Sequence, residues 1–247
     1  MTPRAYALLT WTEAKLVARD TAGLIVPLAL PTLIMVMNGL GSSEPTNDFE
    51  GLTAFDAYVL PLTLAMIVAL IGIVNMPSFL AAYRKTGILR RLSVTPANPL
   101  AVLGAQAAVA LAHTLAGVTI ALVIARFAFD AALPRAPLTT AATFALATAA
   151  MFAVGLLIAA VAPTPNSAVA IGLLTFFATM ATGGGFGTRD NLPDWLAAIG
   201  AHLPYGAALD ALSNAWTGST PPLAAIAALT STALACTAIA AKTFRWL

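Results

Sequence analysis

Few residues of this chain could do chemistry, and most of them stand alone. His113 is the single histidine within an apolar run, and Cys236 is the single cysteine. A lone cysteine closes no internal disulfide and anchors no metal cluster, so Cys236 reads as a small packing residue. The run Gly183-Gly184-Gly185-Phe186-Gly187 lacks the Gly-Lys-Ser/Thr ending of a phosphate loop, and no strand is expected before it. The sequence shows no nucleophile beside a base, no carboxylate pair and no zinc-ligand spacing. The chain by itself is therefore expected to be no enzyme and to hold no cofactor or metal. Its concentrated chemistry is ionic. Arg84, Lys85, Arg90 and Arg91 crowd together with no acid among them. Gly87 breaks this run early, and Thr95-Pro96 and Asn98-Pro99 end it. Ile88, Leu89 and Leu92 lie three to four apart, which puts them on one face of a short helix with Arg90 and Arg91 turned away. Such a segment can seat its apolar face in a partner's cleft while its cations meet acids at the rim. Alternatively, its charges only set topology and touch anionic lipid.

The elements that must hold this segment are membrane spans. Of 247 residues, 60% are hydrophobic and 9% charged, and the mean hydropathy is +0.88. A water-soluble domain carries about 25% charged residues, so the expected class is an all-α polytopic membrane protein, one domain over residues 1–247. Apolar runs at residues 22–40, 57–80, 100–125, 138–162, 167–182 and 222–241 approach the ~20 residues that cross a bilayer. Pro27 and Pro31 interrupt the first run and should kink its helix, and the second run holds Pro61 and Pro77. Asn75, near the basic end of the second run, can hydrogen-bond across helices or touch a permeant. His113 in the third run admits a helix–helix hydrogen bond, a place on a substrate path or a metal site. Ala141, Ala145, Ala149 and Ala153 recur every four residues, a small-residue stripe suited to close packing.

Two regions are amphipathic without being spans. Residues 1–21 carry no short apolar core with a cleavage site, so they are not expected to be a signal peptide. Tyr6, Leu8, Leu9, Trp11, Leu16 and Val17 alternate there with charges and predict an interfacial helix, with a frayed cytoplasmic tail as the alternative because the apolar face is incomplete. Residues 183–218 begin at the glycine run and hold two apolar segments, each shorter than a span, which look re-entrant or interfacial. Six spans put both termini on one face. Nine of the twelve Lys and Arg fall on that face, and Arg126, Arg135 and Arg189 fall on the other. The positive-inside rule makes the nine-charge side cytoplasmic. Apart from His113, no ionisable residue lies deep in a span, whereas ion-coupled pumps keep carboxylates there. Energy for transport would have to come from elsewhere.

Residues Tyr83, Arg84, Gly87, Leu89, Arg91, Leu92, Thr95 and Pro96 form the pattern Y-R-x-x-G-x-L-x-R-L-x-x-T-P. This resembles the cytoplasmic loop between the second and third spans of ABC-2-type transporter permeases, the membrane subunits of ABC exporters. Where the family often carries an acid just before the glycine, this chain has Lys85 and Thr86. Residues 191–196 and 204–212 resemble, less specifically, the family's extracellular re-entrant helices. The resemblance implies an elbow helix at residues 1–21, a coupling loop at 81–99 and a re-entrant segment at 183–218. It implies two copies of a separate ATPase subunit, which bind the ATP and magnesium, and a second permease copy, the same or different. It assigns ATPase coupling to Arg84, Gly87, Ile88, Leu89, Arg90, Arg91 and Leu92.

A substrate route between two copies, along spans 1, 2 and 5, would be mostly apolar. Its candidate residues are Met35, Met66, Asn75, His113, Phe177 and Met180, and the methionines would make the surface adaptable. Such a path suits a lipophilic small molecule, as in the daunorubicin-resistance exporters of the family, with a lipid or lipid-linked glycan as the alternative. The expected setting is a bacterial plasma membrane, with lipids and no nucleic acid as partners. Two other classes stay open: a membrane enzyme, which needs titratable residues gathered near the interface, and a non-transporting scaffold, which would stimulate no ATPase.

Overall fold

The structure is a computed structural model, and it describes residues 3–41, 51–85 and 99–243. The described residues are helical throughout their regular elements. Helix α1 (Pro3–Arg19) is followed without a loop by α2 (Thr21–Gly39). Asp20 caps α2 with its carboxylate, which accepts from Gly23 N at 3.1 Å. The second span begins with a π-helical turn (Phe55–Val59) and continues as α3 (Leu60–Ala69). It passes through a second π segment (Leu70–Asn75) and ends as α4 (Met76–Lys85). Then come α5 (Pro99–Phe129), α6 (Pro137–Val161) and α7 (Pro165–Thr182). Two short helices, α8 (Asp194–His202) and α9 (Pro204–Thr217), precede α10 (Leu223–Thr243). Thr164 and Ser167 cap α7 reciprocally, each side chain accepting from the other's backbone N–H, which places the helix start at Pro165.

Six of these helical stretches are long and apolar enough to cross a membrane, and they fall where the apolar runs predict them. The second is the axis of the bundle. Every residue from 60 to 73 is buried, and α2, α5, α6, α7 and α9 all pack against it. Two glycines let neighbouring backbones touch this axis. A Cβ on Gly155 of α6 would collide with Gly72 O, and one on Gly172 of α7 would lie 2.5 Å from Ile73 O. A second crossing joins Gly183, Gly200 and Gly206, where the end of α7 meets α8 and α9.

The alanine stripe on α6 behaves differently from its reading as a packing seam. Ala153 is buried, but Ala141, Ala145 and Ala149 are exposed in the single chain. A four-residue repeat drifts about 40° per step around a helix of 3.6 residues per turn, so one stripe cannot stay on one face. The packed face is instead Ala147, Ala150, Met151, Val154 and Ile158.

Candidate functional site

One group of described polar side chains lies where the first two helices join the second and third spans. Pro27 has no N–H to offer Gly23 O four residues back. Asn75, from the second span, supplies the missing donor: its Nδ2 reaches Gly23 O at 2.8 Å. His113 of α5 donates from Nε2 to the next carbonyl, Leu24 O, at 3.1 Å. With the Asp20 cap, these bonds tie the root of α2 to two other spans. The same device recurs at the opposite end of the axis. Pro61 cannot donate to Ala57 O, and Ser213 Oγ of α9 does so at 2.5 Å.

Helix α1 is bound into this root. Tyr83, near the end of α4, donates its hydroxyl to Glu13 Oε2, and both residues are buried. Burial pushes the Glu13 carboxyl above its ordinary value, while the Tyr83 hydrogen bond opposes the shift. Tyr6 comes close to Gly104, where α1 crosses α5. The basic run begins directly after Tyr83. Of the coupling candidates, Gly87, Ile88, Leu89, Arg90, Arg91 and Leu92 lie outside the described residues, as does the side chain of Arg84. What the structure places is their anchor: the segment leaves a helix whose last turns hold α1 and whose earlier turns hold α2.

The path candidates do not come together as one surface. Met35, Met66 and Met180 are each at most 2% exposed and pack in the core. Asn75 and His113 are buried and engaged with carbonyls of α2. Phe177 alone faces outward, at 46% exposure, in line with Phe186 at a ring distance of 6.5 Å. Outward apolar faces occur on α2, with Ile25, Leu33 and Met37, and on α7, with Leu174 and Phe177, as well as on α5, with Leu115, Val123 and Phe127, and on α10, with Leu223 and Leu234.

The other end of the bundle is fastened by polar contacts that sequence reasoning missed. Asp56 is buried and accepts from Ala132 N at 2.8 Å and from Thr53 Oγ1 at 2.7 Å. Tyr58 donates its hydroxyl to Gly184 O, and Arg189 pairs with Asp210. The glycine run is thus a turn held by the second span, with Gly184 at φ +95°. Prolines four residues after Gly23 and Ala57 were the one sequence signal for the two carbonyl sites. Nothing in the spacing of Glu13, Tyr58 or Asp56 announced their partners.

The sequence of the first five spans matches a known family. The sequence model of the ABC-2 type transporter family matches residues 4–216. The chain belongs to that family. It is an integral, multi-pass membrane protein and the permease subunit of an ABC transporter. No individually curated protein matches the chain. In this ABC-2 permease the match begins in α1 and ends in α9, so it includes every tie described above.

Proposed function

We propose that this ABC-2 permease moves a hydrophobic or amphipathic small molecule, drug-like or antibiotic-like, out of the cell. The energy comes from a separate ATPase subunit, present in two copies, that binds ATP and magnesium. The permease chain carries out no catalysis itself. The observation that carries this reading is the continuity of the second span. It runs buried from the turn at Phe55 to Tyr83, grips α2 through Asn75 and α1 through Tyr83, and continues into the basic segment. A push on that segment therefore enters the centre of the bundle.

In this reading Ile88, Leu89 and Leu92 seat in a cleft of the ATPase, and Arg84, Arg90 and Arg91 meet acids at its rim. Residues 1–21 form the elbow at the membrane surface, and residues 183–218 form the re-entrant cap. Both termini are cytoplasmic in this reading, which the distribution of Lys and Arg supports. Two permease copies enclose the route between the outward faces of α2 and α7, where Met37, Leu174 and Phe177 offer apolar contact. Met35, Met66 and Met180 join the route when those helices part. The test is purification of the permease in mild detergent and assay of the ATPase that co-purifies. The double substitution Leu89→Asp, Leu92→Asp should abolish co-purification of the ATPase and stop transport while leaving a folded permease. If the ATPase still co-purifies and transport persists, the coupling assignment is wrong.

A further inference from the structure

A cavity of about 300 Å³ opens on the flank of the bundle, at the end that carries Arg126, Arg135 and Arg189. Leu60 and Leu64 of the second span, Val118 and Leu122 of α5, Phe144 of α6 and Trp216 of α9 form its walls, and they are almost wholly apolar. The connection at residues 131–134 roofs it, and the exposed residues Leu133 and Ala141 stand at its mouth. Three features point to one kind of occupant. The hollow opens past the exposed Leu133 and Ala141, on the flank that a membrane chain presents to hydrocarbon, and an apolar void forfeits contacts that a chain would restore. Trp216 is buried, and its Nε1–H has no acceptor among the described residues, which is costly in a low-dielectric wall. Arg126 also lines the cavity, and its exposed ion pair with Asp130 engages one nitrogen of the guanidinium. Its other N–H groups remain available to a phosphate.

We propose that this cavity binds one acyl chain of an anionic membrane phospholipid. The chain lies along α5 from Arg126 toward Val118, about 12 Å at the helical rise. An ester carbonyl accepts from Trp216 Nε1–H, and the phosphate meets Arg126. The volume is at the lower end for a drug-sized ligand, roughly 300–1,000 Å³, which favours a single chain over a bulky permeant. The lipid here is a resident of the flank, separate from the route between α2 and α7.

The test reads bound lipid and needs neither ATPase nor transport, so its outcome is independent of the exporter reading. The permease is reconstituted in nanodiscs of equal phosphatidylglycerol and phosphatidylethanolamine, extracted in mild detergent and weighed intact by native mass spectrometry. Wild type should retain one phosphatidylglycerol per chain. Ala141→Phe, which fills the mouth from an exposed position, should reduce retention at least tenfold, and Arg126→Gln should remove the preference for the anionic lipid. A second readout uses the unaltered cavity. Trp216 is kept as the sole tryptophan, with Trp11, Trp195 and Trp246 changed to Phe. Its fluorescence should be quenched by phosphatidylglycerol brominated near the ester end of the chain, and competing unbrominated phosphatidylglycerol should relieve the quenching more than phosphatidylethanolamine does. Retention by Ala141→Phe equal to wild type would overturn the proposal. So would a Trp216 signal indifferent to brominated lipid, or retention only of a molecule that is not a phospholipid.

Discussion

At the scale of single residues, the prolines explain the polar side chains. A proline in a span leaves a carbonyl without its helical N–H, and in hydrocarbon that carbonyl has no water to turn to. Asn75 and Ser213 answer two such vacancies from other helices. This gives Asn75 a sharper role than general adhesion. Asn75→Ala should lower the stability of the purified protein by about 1–2 kcal/mol, read as a fall in the thermal midpoint in detergent. Pro27→Ala in the same chain should recover most of the loss, because residue 27 then supplies the N–H itself. A double mutant no more stable than Asn75→Ala alone would show that the carbonyl is not what Asn75 serves. His113 makes a side-chain bond to the neighbouring carbonyl, Leu24 O, from a third span.

At the scale of elements, the second span governs the packing, and glycine is how its neighbours reach it. Gly155 and Gly172 bring α6 and α7 against the π segment from opposite helices. Gly155→Ala should destabilise by about 1–3 kcal/mol or more, since the added methyl meets a backbone carbonyl that cannot rotate away. Substituting Ala for Gly41, whose added Cβ would make only an ordinary van der Waals contact with Asn38 O at 3.9 Å, should be close to neutral. Comparing the two variants by unfolding in detergent separates close approach from loss of glycine as such. Span existence and ends were legible from hydropathy, because length and apolarity suffice to mark a helix in a bilayer. The π segments were not. A span buried on all sides has no periodic polar face to read, and the choice of an i→i+5 turn is made by tertiary neighbours and by Pro77, not by the local sequence alone. The alanine stripe misled for a related reason, since spacing in sequence was read without the drift that spacing implies.

At the scale of the whole molecule, α1 is a long amphipathic helix joined to a bundle of spans, and a buried acid holds it there. Glu13 was legible only as part of an alternating pattern, because its partner Tyr83 lies seventy residues away in another element. Its raised carboxyl pKa has a definite sign for stability. The fold favours the protonated form, so the contribution is complete below the unfolded value of about 4.3 and is lost as pH rises through the higher folded value. Glu13→Gln keeps an acceptor for Tyr83 and cannot ionise. Its thermal midpoint should therefore fall less than that of wild type as the buffer is taken from acid to neutral. Parallel pH profiles for the two proteins would mean that Glu13 does not titrate in this range. The candidate coupling residues were legible as a motif, while the structure supplies what the motif could not, the helix that carries it and the ties that load it.

The two π turns of the second span have one more meaning. Each π turn accommodates roughly one residue beyond what an α turn would use, and one residue is about 100° of rotation around a helix. The direction in which Tyr83 and the basic run leave the bundle, relative to Leu60, is thus stored as a count of residues between them. Deleting a single residue within the segment Leu70–Asn75 would close it to an ordinary turn and leave the direction beyond it nearly unchanged, whereas the same deletion within the α-helical Leu60–Ala69, which absorbs no extra residue, would swing everything beyond it by about a quarter of a circle. Related chains that differ by one residue there would aim the same motif at a different side of their partner. Length, as much as side-chain identity, is then the inherited quantity in this part of the chain.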